Sequence, residues 1–270
     1  MGLRVMNNVA VQFAHRQLTI TNLNLNKSLE KLSSGYRINH AADDAAGLAV
    51  SEKLRTQVYG LEQTRRNIMD GISLLQTAEG GLEELQSILQ RIRVLAIQSS
   101  NGTLTNSDRA LIQAEVTQLL CEIDRMSTTV TFNTIQLFSG GSVTIQAGAN
   151  AGQSLQLNLT SQSTTALGIS SLSLSSMTSA SAAISSLTSA INSVSALRAT
   201  IGAMQNRLEH TYNFTGISRE NQMAAESRIR DVDFADEMVN FTKQQILLQA
   251  GNAMLAQANM MPQMVLQLLG

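Results

Sequence analysis

The chain is expected to be mainly α-helical. Long antiparallel helical rods of coiled-coil type would carry a small β-hairpin region, and the two terminal helices would pack on each other or on neighbouring copies. Three observations predict this. Apolar residues recur every seven positions at both ends, at Leu18, Leu25 and Leu32 and again at Phe234, Phe241, Leu248 and Leu255. The same step runs unbroken through Leu54, Leu61, Ile68, Leu75, Leu82, Leu89 and Ala96. The composition is 43% apolar but only 3% aromatic, with one Pro and no Trp, which suits long helices packed through small aliphatic side chains.

A seven-residue step keeps one narrow stripe on one side of a helix. Such a stripe is unfavourable in water by roughly 25 cal/mol per Å² and needs a partner. The terminal stripes are too thin to enclose a core alone. They would pack on each other or on neighbouring copies of the chain, and both ends are expected to be partly disordered in the free monomer. The longer stripe is widened by Val58, Ile72, Leu85 and Ile92. At 1.5 Å per residue its 54–96 part would be roughly 65 Å long. Gly80-Gly81 is a candidate bend.

Ser100-Asn101-Gly102-Thr103 reads as a helix stop, with Ser107 or Asp108 as the next cap. A returning helix would carry Leu111, Val116, Leu119, Ile123 and Met126. From about 128 to 160 the period changes to two, with Val143 and Ile145 in one run and Leu155, Leu157 and Leu159 in the other. The Gly148–Gly152 loop between the runs predicts a β-hairpin. A Ser/Thr-rich stretch from about 160 to 183 reads as a solvated connector. Leu187, Val194, Ile201 and Leu208 then restore the helical step, with a break near Phe214-Thr215-Gly216. Asp231 or Asp233 would cap the last helix, and Pro262 would mark its end. Residues 1–42 with 234–270 would form the terminal-helix domain, and residues 43–233 the rod domain.

The composition excludes several functions. A net charge of −1 offers no basis for nucleic acid or an acidic membrane as a bulk partner. No segment reaches the ~18 apolar residues of a membrane span. The start, Met1-Gly2-Leu3-Arg4-Val5-Met6-Asn7, lacks the apolar core of a signal peptide, so export would need a dedicated route. One cysteine, Cys121, allows no internal disulfide and is expected to be a partly buried packing residue. His15, His40 and His210 are scattered, and no zinc, phosphate-binding or dinucleotide pattern occurs. Asp43-Asp44 reads as a helix start and not as an acid–base pair. No catalytic residue, metal or cofactor is expected.

Long motifs at both ends resemble bacterial flagellin. At the front these are Lys31-Leu32-Ser33-Ser34-Gly35-Tyr36-Arg37-Ile38-Asn39, the run Ala41 to Ala49, and Asp70-Gly71-Ile72-Ser73-Leu74-Leu75-Gln76-Thr77-Ala78-Glu79-Gly80. At the back they are Gln205 to Glu209, Ala224-Ala225-Glu226-Ser227-Arg228-Ile229-Arg230-Asp231-Val232-Asp233, Met254 to Asn259 and Val265 to Leu269. The resemblance implies a structural subunit of the motility filament, in a short form without large outer domains, with the two terminal helices paired into an inner-core layer. It also implies export through the flagellar type III apparatus to the cell exterior, and an export chaperone on the C-terminal helix. The filament cap and hook-junction proteins are further implied partners. Gln90 to Gln98 resembles the segment sensed by the animal Toll-like receptor for flagellin, which would assign recognition to Arg91, Leu95 and Glu115. Val94 stands where that motif usually has Glu. A hook–filament junction protein and an exported coiled-coil adhesin are the alternatives.

Overall fold

A computed structural model describes the backbone of residues 8–269 and side chains as far as residue 260. The start of the chain and the Met261–Leu269 side chains lie outside what is described. Five helices and four short strands follow in order: α1 (Val9–Ser34), α2 (Ala45–Ser99), α3 (Asn106–Thr129), β1 (Thr131–Phe132), β2 (Ile135–Gln136), β3 (Gly141–Gln146), β4 (Ser154–Leu159), α4 (Met177–Arg230) and α5 (Phe234–Leu269). They form two compact units, residues 57–220 and residues 1–56 with 221–270.

The 57–220 unit holds nearly all the buried apolar side chains. Leu61, Ile68, Leu75, Leu82, Leu89 and Ala96 of α2 are all buried, as their spacing predicts. From Ile68 onward they share one core with Val116, Ile123 and Met126 of α3 and Ala180, Ala183, Leu187, Ala190, Val194, Leu197, Ile201 and Leu208 of α4. The last set steps alternately by three and four as far as Ile201, and the half-buried Met204 fills the gap to Leu208, so α4 presents one continuous seam to α2. Cross-helix contacts fix the direction. Glu62 meets Arg219 at 2.9 Å, Arg65 donates to the Tyr212 hydroxyl at 2.6 Å, and Arg198 meets Glu79 at 2.8 Å, so α2 and α4 run antiparallel.

Both candidate breaks in the long helices are absent. α2 passes through Gly80-Gly81 and α4 through Phe214–Gly216 without interruption. Three of the α2 glycines, Gly60, Gly71 and Gly81, serve clearance instead, whereas Gly80 faces open space. A Cβ on Gly81 would come 2.7 Å from Phe138 Cε2, one on Gly71 within 2.4 Å of Ile145 Cδ1, and one on Gly60 within 2.9 Å of the Ala149 Cβ. The β region therefore lies along a glycine-bearing face of α2. α5 likewise continues past Pro262 to Leu269.

α3 is capped by Thr105, two residues before Ser107 and three before Asp108. The Thr105 hydroxyl accepts from the Asp108 N–H, and the Asp108 carboxylate accepts from the Thr105 N–H at 2.9 Å, which is a capping box. Arg109, buried to 6% exposure, ties the α2–α3 turn together by donating to the carbonyls of Ser99 and Asn101, each at 2.9 Å. Thr105→Ala is expected to cost about 1 kcal/mol of core stability in urea unfolding. The Thr105 hydroxyl, then its N–H, holds the Asp108 carboxyl below its ordinary pKa. A depressed folded-state pKa stabilises above the unfolded carboxylate pKa. That contribution disappears as pH falls through the folded value. The difference between wild type and Thr105→Ala should therefore shrink on the acid side of the carboxylate range.

The β region contains two hairpins rather than one. β1 and β2 pair through a tight turn with positive φ at Asn133 and Thr134 (46° and 68°). β3 and β4 pair from Gly141↔Leu159 to Gln146↔Ser154, and Ile145, Leu157 and Leu159 face the core. The Ser/Thr-rich connector ends at residue 176, so its last expected residues are already α4. It is also packed, not solvated. Ile169 and Leu174 are fully buried, Asp124 accepts from the Thr164 N–H at 2.9 Å, and Gln113 accepts from the Leu174 N–H at 2.6 Å. Cys121 is exposed on α3, contrary to the expected partial burial.

The other unit contains α1, α5, the start of α2 and the end of α4. The helix-break positions 42/43 and 233/234 suggest domain boundaries there. The units instead divide within α2 and α4, because Glu52 and Arg230 are bonded to each other beside the turn at residues 35–37. Asp44 caps α2 by accepting from the Gly47 N–H at 2.8 Å. Asp233 caps α5 by accepting from the Ala235 N–H at 2.9 Å. No helix among the described residues is long and apolar enough to cross a membrane.

Candidate assembly surface

α1 and α5 pair antiparallel. Asn8 caps α1 by accepting from the Val11 N–H at 3.2 Å, and its side-chain amide reaches the Ala258 carbonyl at 3.4 Å. Gly251 marks the closest approach, since a Cβ there would lie 2.5 Å from Leu18 Cδ2. On α1 the inward residues are Val11, Ala14, Leu18, Thr21, Leu25, Ser28 and Leu32, with Thr21 and Ser28 buried and the rest half-buried. On α5 they are Glu237, Phe241, Gln244, Leu248, Gly251, Leu255 and Ala258, all half-buried. Both sets step by three and four, as a two-helix seam requires.

Counting outward from Leu18 and Gly251 in the antiparallel sense places Thr21 level with Leu248, Leu25 with Gln244 and Ser28 with Phe241. In the other direction Ala14 is level with Leu255 and Val11 with Ala258. Most levels set a large apolar side chain against a small or polar one, which is how two ridges interdigitate without leaving a void. Thr21 fits because its hydroxyl is satisfied locally by the Gln17 carbonyl at 3.0 Å.

Of the residues predicted to pack the ends together, Leu18, Leu25, Leu32, Phe241, Leu248 and Leu255 lie in this seam. Phe234 does not, being 55% exposed. The seam leaves much apolar surface outside it. Val9, Phe13 and Leu23 on α1, and Val239, Ile246 and Met254 on α5, are all more than half exposed. Met238, Val239, Thr242, Lys243, Ile246 and Leu247 line a shallow groove on α5.

In the 57–220 unit the three residues assigned to receptor recognition occupy different settings. Arg91 and Glu115 form a surface pair, with Arg91 Nη2 and Nε at 2.7 and 2.9 Å from Glu115 Oε1. Leu95 is 3% exposed and belongs to the core. It can act on a surface partner only by supporting α2 from beneath. Among the described residues no group of His, Cys, Asp and Glu is placed to hold a metal ion. His40 meets Glu30 at 2.8 Å, and Asp43 accepts from the His40 N–H at 3.0 Å, so these residues serve the α1–α2 turn.

A packed helical core with a pair of terminal helices, each still showing an apolar outer face, defines a class: a structural subunit that completes itself by assembly. The comparisons specify which one. The family description "bacterial flagellin N-terminal helical region" matches residues 5–143, and "bacterial flagellin C-terminal helical region" matches residues 184–269. A flagellin of Halalkalibacterium halodurans is 50% identical, over 98% of this chain and 99% of the relative. The flagellar filament 33 kDa core protein of Treponema phagedenis is 46% identical over 98% and 99% of the two chains. The crystal structure of Bacillus cereus flagellin superposes with a TM-score of 0.50 at 31% identity, covering 55% of this chain and 88% of that one. The chain belongs to the bacterial flagellin family. It is a structural subunit of the flagellar filament and not an enzyme. A flagellar hook-associated protein of Vibrio parahaemolyticus (putative by its own description) shares the fold with a TM-score of 0.59, but only 15% identity.

Proposed function

We propose that copies of the chain join through the outer apolar faces of α1 and α5 once the seam has formed, with the terminal helices as the inner layer of the filament. The observation that carries this is the second apolar face on each helix. A two-helix seam covers one stripe per helix, and a patch of this kind on a family that polymerises calls for a further apolar surface. Ile246 is 59% exposed and touches the groove, so Ile246→Asp leaves the seam intact but buries a charge between copies. The variant should melt like wild type and fail to extend wild-type filament seeds, as seen by electron microscopy. Normal extension would remove this face from the contact.

The same reading extends to further partners, which family membership supports. An export chaperone would cover the apolar face of α5 before assembly, and the chain would leave the cell through the flagellar type III apparatus. The filament cap and hook-junction proteins would meet the same terminal helices. Recognition by the animal Toll-like receptor for flagellin would fall on Arg91 and Glu115, the two surface members of the predicted set. Arg91→Ala should weaken receptor activation while costing no more than about 1 kcal/mol of stability, the usual worth of an exposed pair.

A further inference from the structure

The turn between α2 and α3 carries the single Asn-Gly pair of the sequence, Asn101-Gly102. Both residues are exposed, and a Cβ on Gly102 would meet nothing within 4 Å. An asparagine followed by glycine is chemically labile, because no side chain hinders the next backbone nitrogen from reaching the asparagine amide. Asp70-Gly71 is shielded from the same attack, since it lies inside α2 with Gly71 buried.

The fold adds a positive charge at the reacting amide. Arg109 Nη2 donates to the Asn101 carbonyl at 2.9 Å, and the Leu104 N–H donates to the same oxygen at 3.4 Å. The Thr103 N–H donates to Asn101 Oδ1, also at 3.4 Å. Donors therefore polarise both carbonyl groups that the reaction uses. Arg109 is 6% exposed, and its other acceptors, the Ser99 carbonyl at 2.9 Å and Asn106 Oδ1 at 3.1 Å, are neutral as well. A buried guanidinium bonded to neutral oxygens favours any acceptor that gains negative charge.

We propose that Asn101 is a self-modification site, where the chain converts its own side-chain amide to a carboxylate and Arg109 stabilises the developing charge. The Gly102 nitrogen gives its proton to hydroxide from solvent. The negative charge spreads onto the Asn101 carbonyl oxygen, where Arg109 and the Leu104 N–H donate. The nitrogen then bonds to Asn101 Cγ, the Cγ–Nδ2 bond breaks, and Nδ2 takes a proton from water and leaves as ammonia. The product is a five-membered succinimide, which water opens at either carbonyl. Opening at the main-chain carbonyl, the one Arg109 polarises, breaks its bond to the Gly102 nitrogen. The chain then runs through Cβ and Cγ of residue 101 as an isoaspartate. The freed carboxylate contains the oxygen that Arg109 already holds, so the buried guanidinium gains a charged partner.

The test follows the full-length chain at mildly alkaline pH by peptide mass spectrometry, folded in buffer and unfolded in guanidinium chloride. The peptide containing residue 101 should show amide-to-acid conversion before any other asparagine peptide. Its rate should be about tenfold higher in the folded chain, a small part of the ~10²–10³ that a preorganised donor supplies. The isoaspartate share, read by enzymatic methylation of the new carboxylate, should also be higher in the folded chain. Arg109→Gln, with an intact core by melting, should bring rate and isoaspartate share down to the unfolded values. Gly102→Ala should slow the reaction in both states. A folded rate equal to or below the unfolded one would overturn the proposal, and so would a wild-type rate in folded Arg109→Gln. If Arg109→Gln does not fold, the folded and unfolded wild-type rates decide alone.

Discussion

Phe138→Ala is expected to be among the most destabilising single substitutions in the chain, lowering the stability of the 57–220 unit by about 3–5 kcal/mol. Phe138 is fully buried between β2 and β3, and its ring edge covers Gly81 so closely that a Cβ there would stand 2.7 Å away, inside van der Waals contact. Deleting the ring opens a cavity that α2, held by its heptad seam to α4, has little freedom to close. Urea unfolding at unchanged slope is the measurement, and a loss below about 1 kcal/mol would contradict the packing described. The partner substitution Gly81→Ala supplies a sharper check. It gains about 1 kcal/mol in helix propensity and loses about 1–3 kcal/mol to overpacking against the ring. In the Phe138→Ala background the overpacking is relieved and the same methyl should become stabilising. A double-mutant cycle without coupling would show that Gly81 is not there for Phe138.

That pair also shows where sequence reading stops. Leu61 to Ala96 announced a buried stripe, and each residue is buried, because in a long helix burial and heptad spacing report the same geometry. The β3–β4 hairpin was legible for the parallel reason, since its period of two follows from the strand pleat. Gly80-Gly81 looked like a break because propensity is a local quantity. What retains Gly81 is a phenylalanine far along the chain, and no local pattern records that. The 160–176 connector was misread in the same way. Its composition is that of a linker, but Asp124 and Gln113 on α3 bond its backbone and two apolar side chains dock in the core.

At the terminal pair the large residues were visible and their complements were not. Leu18, Leu25 and Leu248 stand out by hydropathy. Thr21, Ser28 and Gly251 carry no hydropathy signal, although they are the small positions that let the large ones in. Phe234 kept the step but fell in the first turn of α5, beyond the end of the seam. The bridge between Tyr36 and Asp231 leaves no periodic trace, because it is a backbone pairing between two turns far apart in the sequence.

Gly251→Leu is expected to abolish filament extension while leaving core melting unchanged. Even a methyl at Gly251 would stand 2.5 Å from Leu18 Cδ2 and 3.1 Å from its Cγ. Gly251→Ala is the mild case: Leu18 is half-buried and can rotate, and the helix gains about 1 kcal/mol in propensity, so the effects nearly cancel. A leucine has no such escape. It forces the helices apart or drives Leu18 outward, at about 1–3 kcal/mol by the usual cost of overpacking. A coupling of that size is about a 5- to 150-fold change in an equilibrium. On the proposed assembly each copy forms the pair before the next adds, so the loss is repeated at every step of growth. Seed-extension assays by electron microscopy read it directly. Because size and not hydropathy is at fault, adding Leu18→Ala to Gly251→Leu restores one large and one small residue at that level and should recover extension. Wild-type growth of Gly251→Leu would mean that the α1–α5 seam is not used in the filament. If Leu18→Ala did not rescue, the obstruction would lie outside this level, and the register of the pair would have to be redrawn.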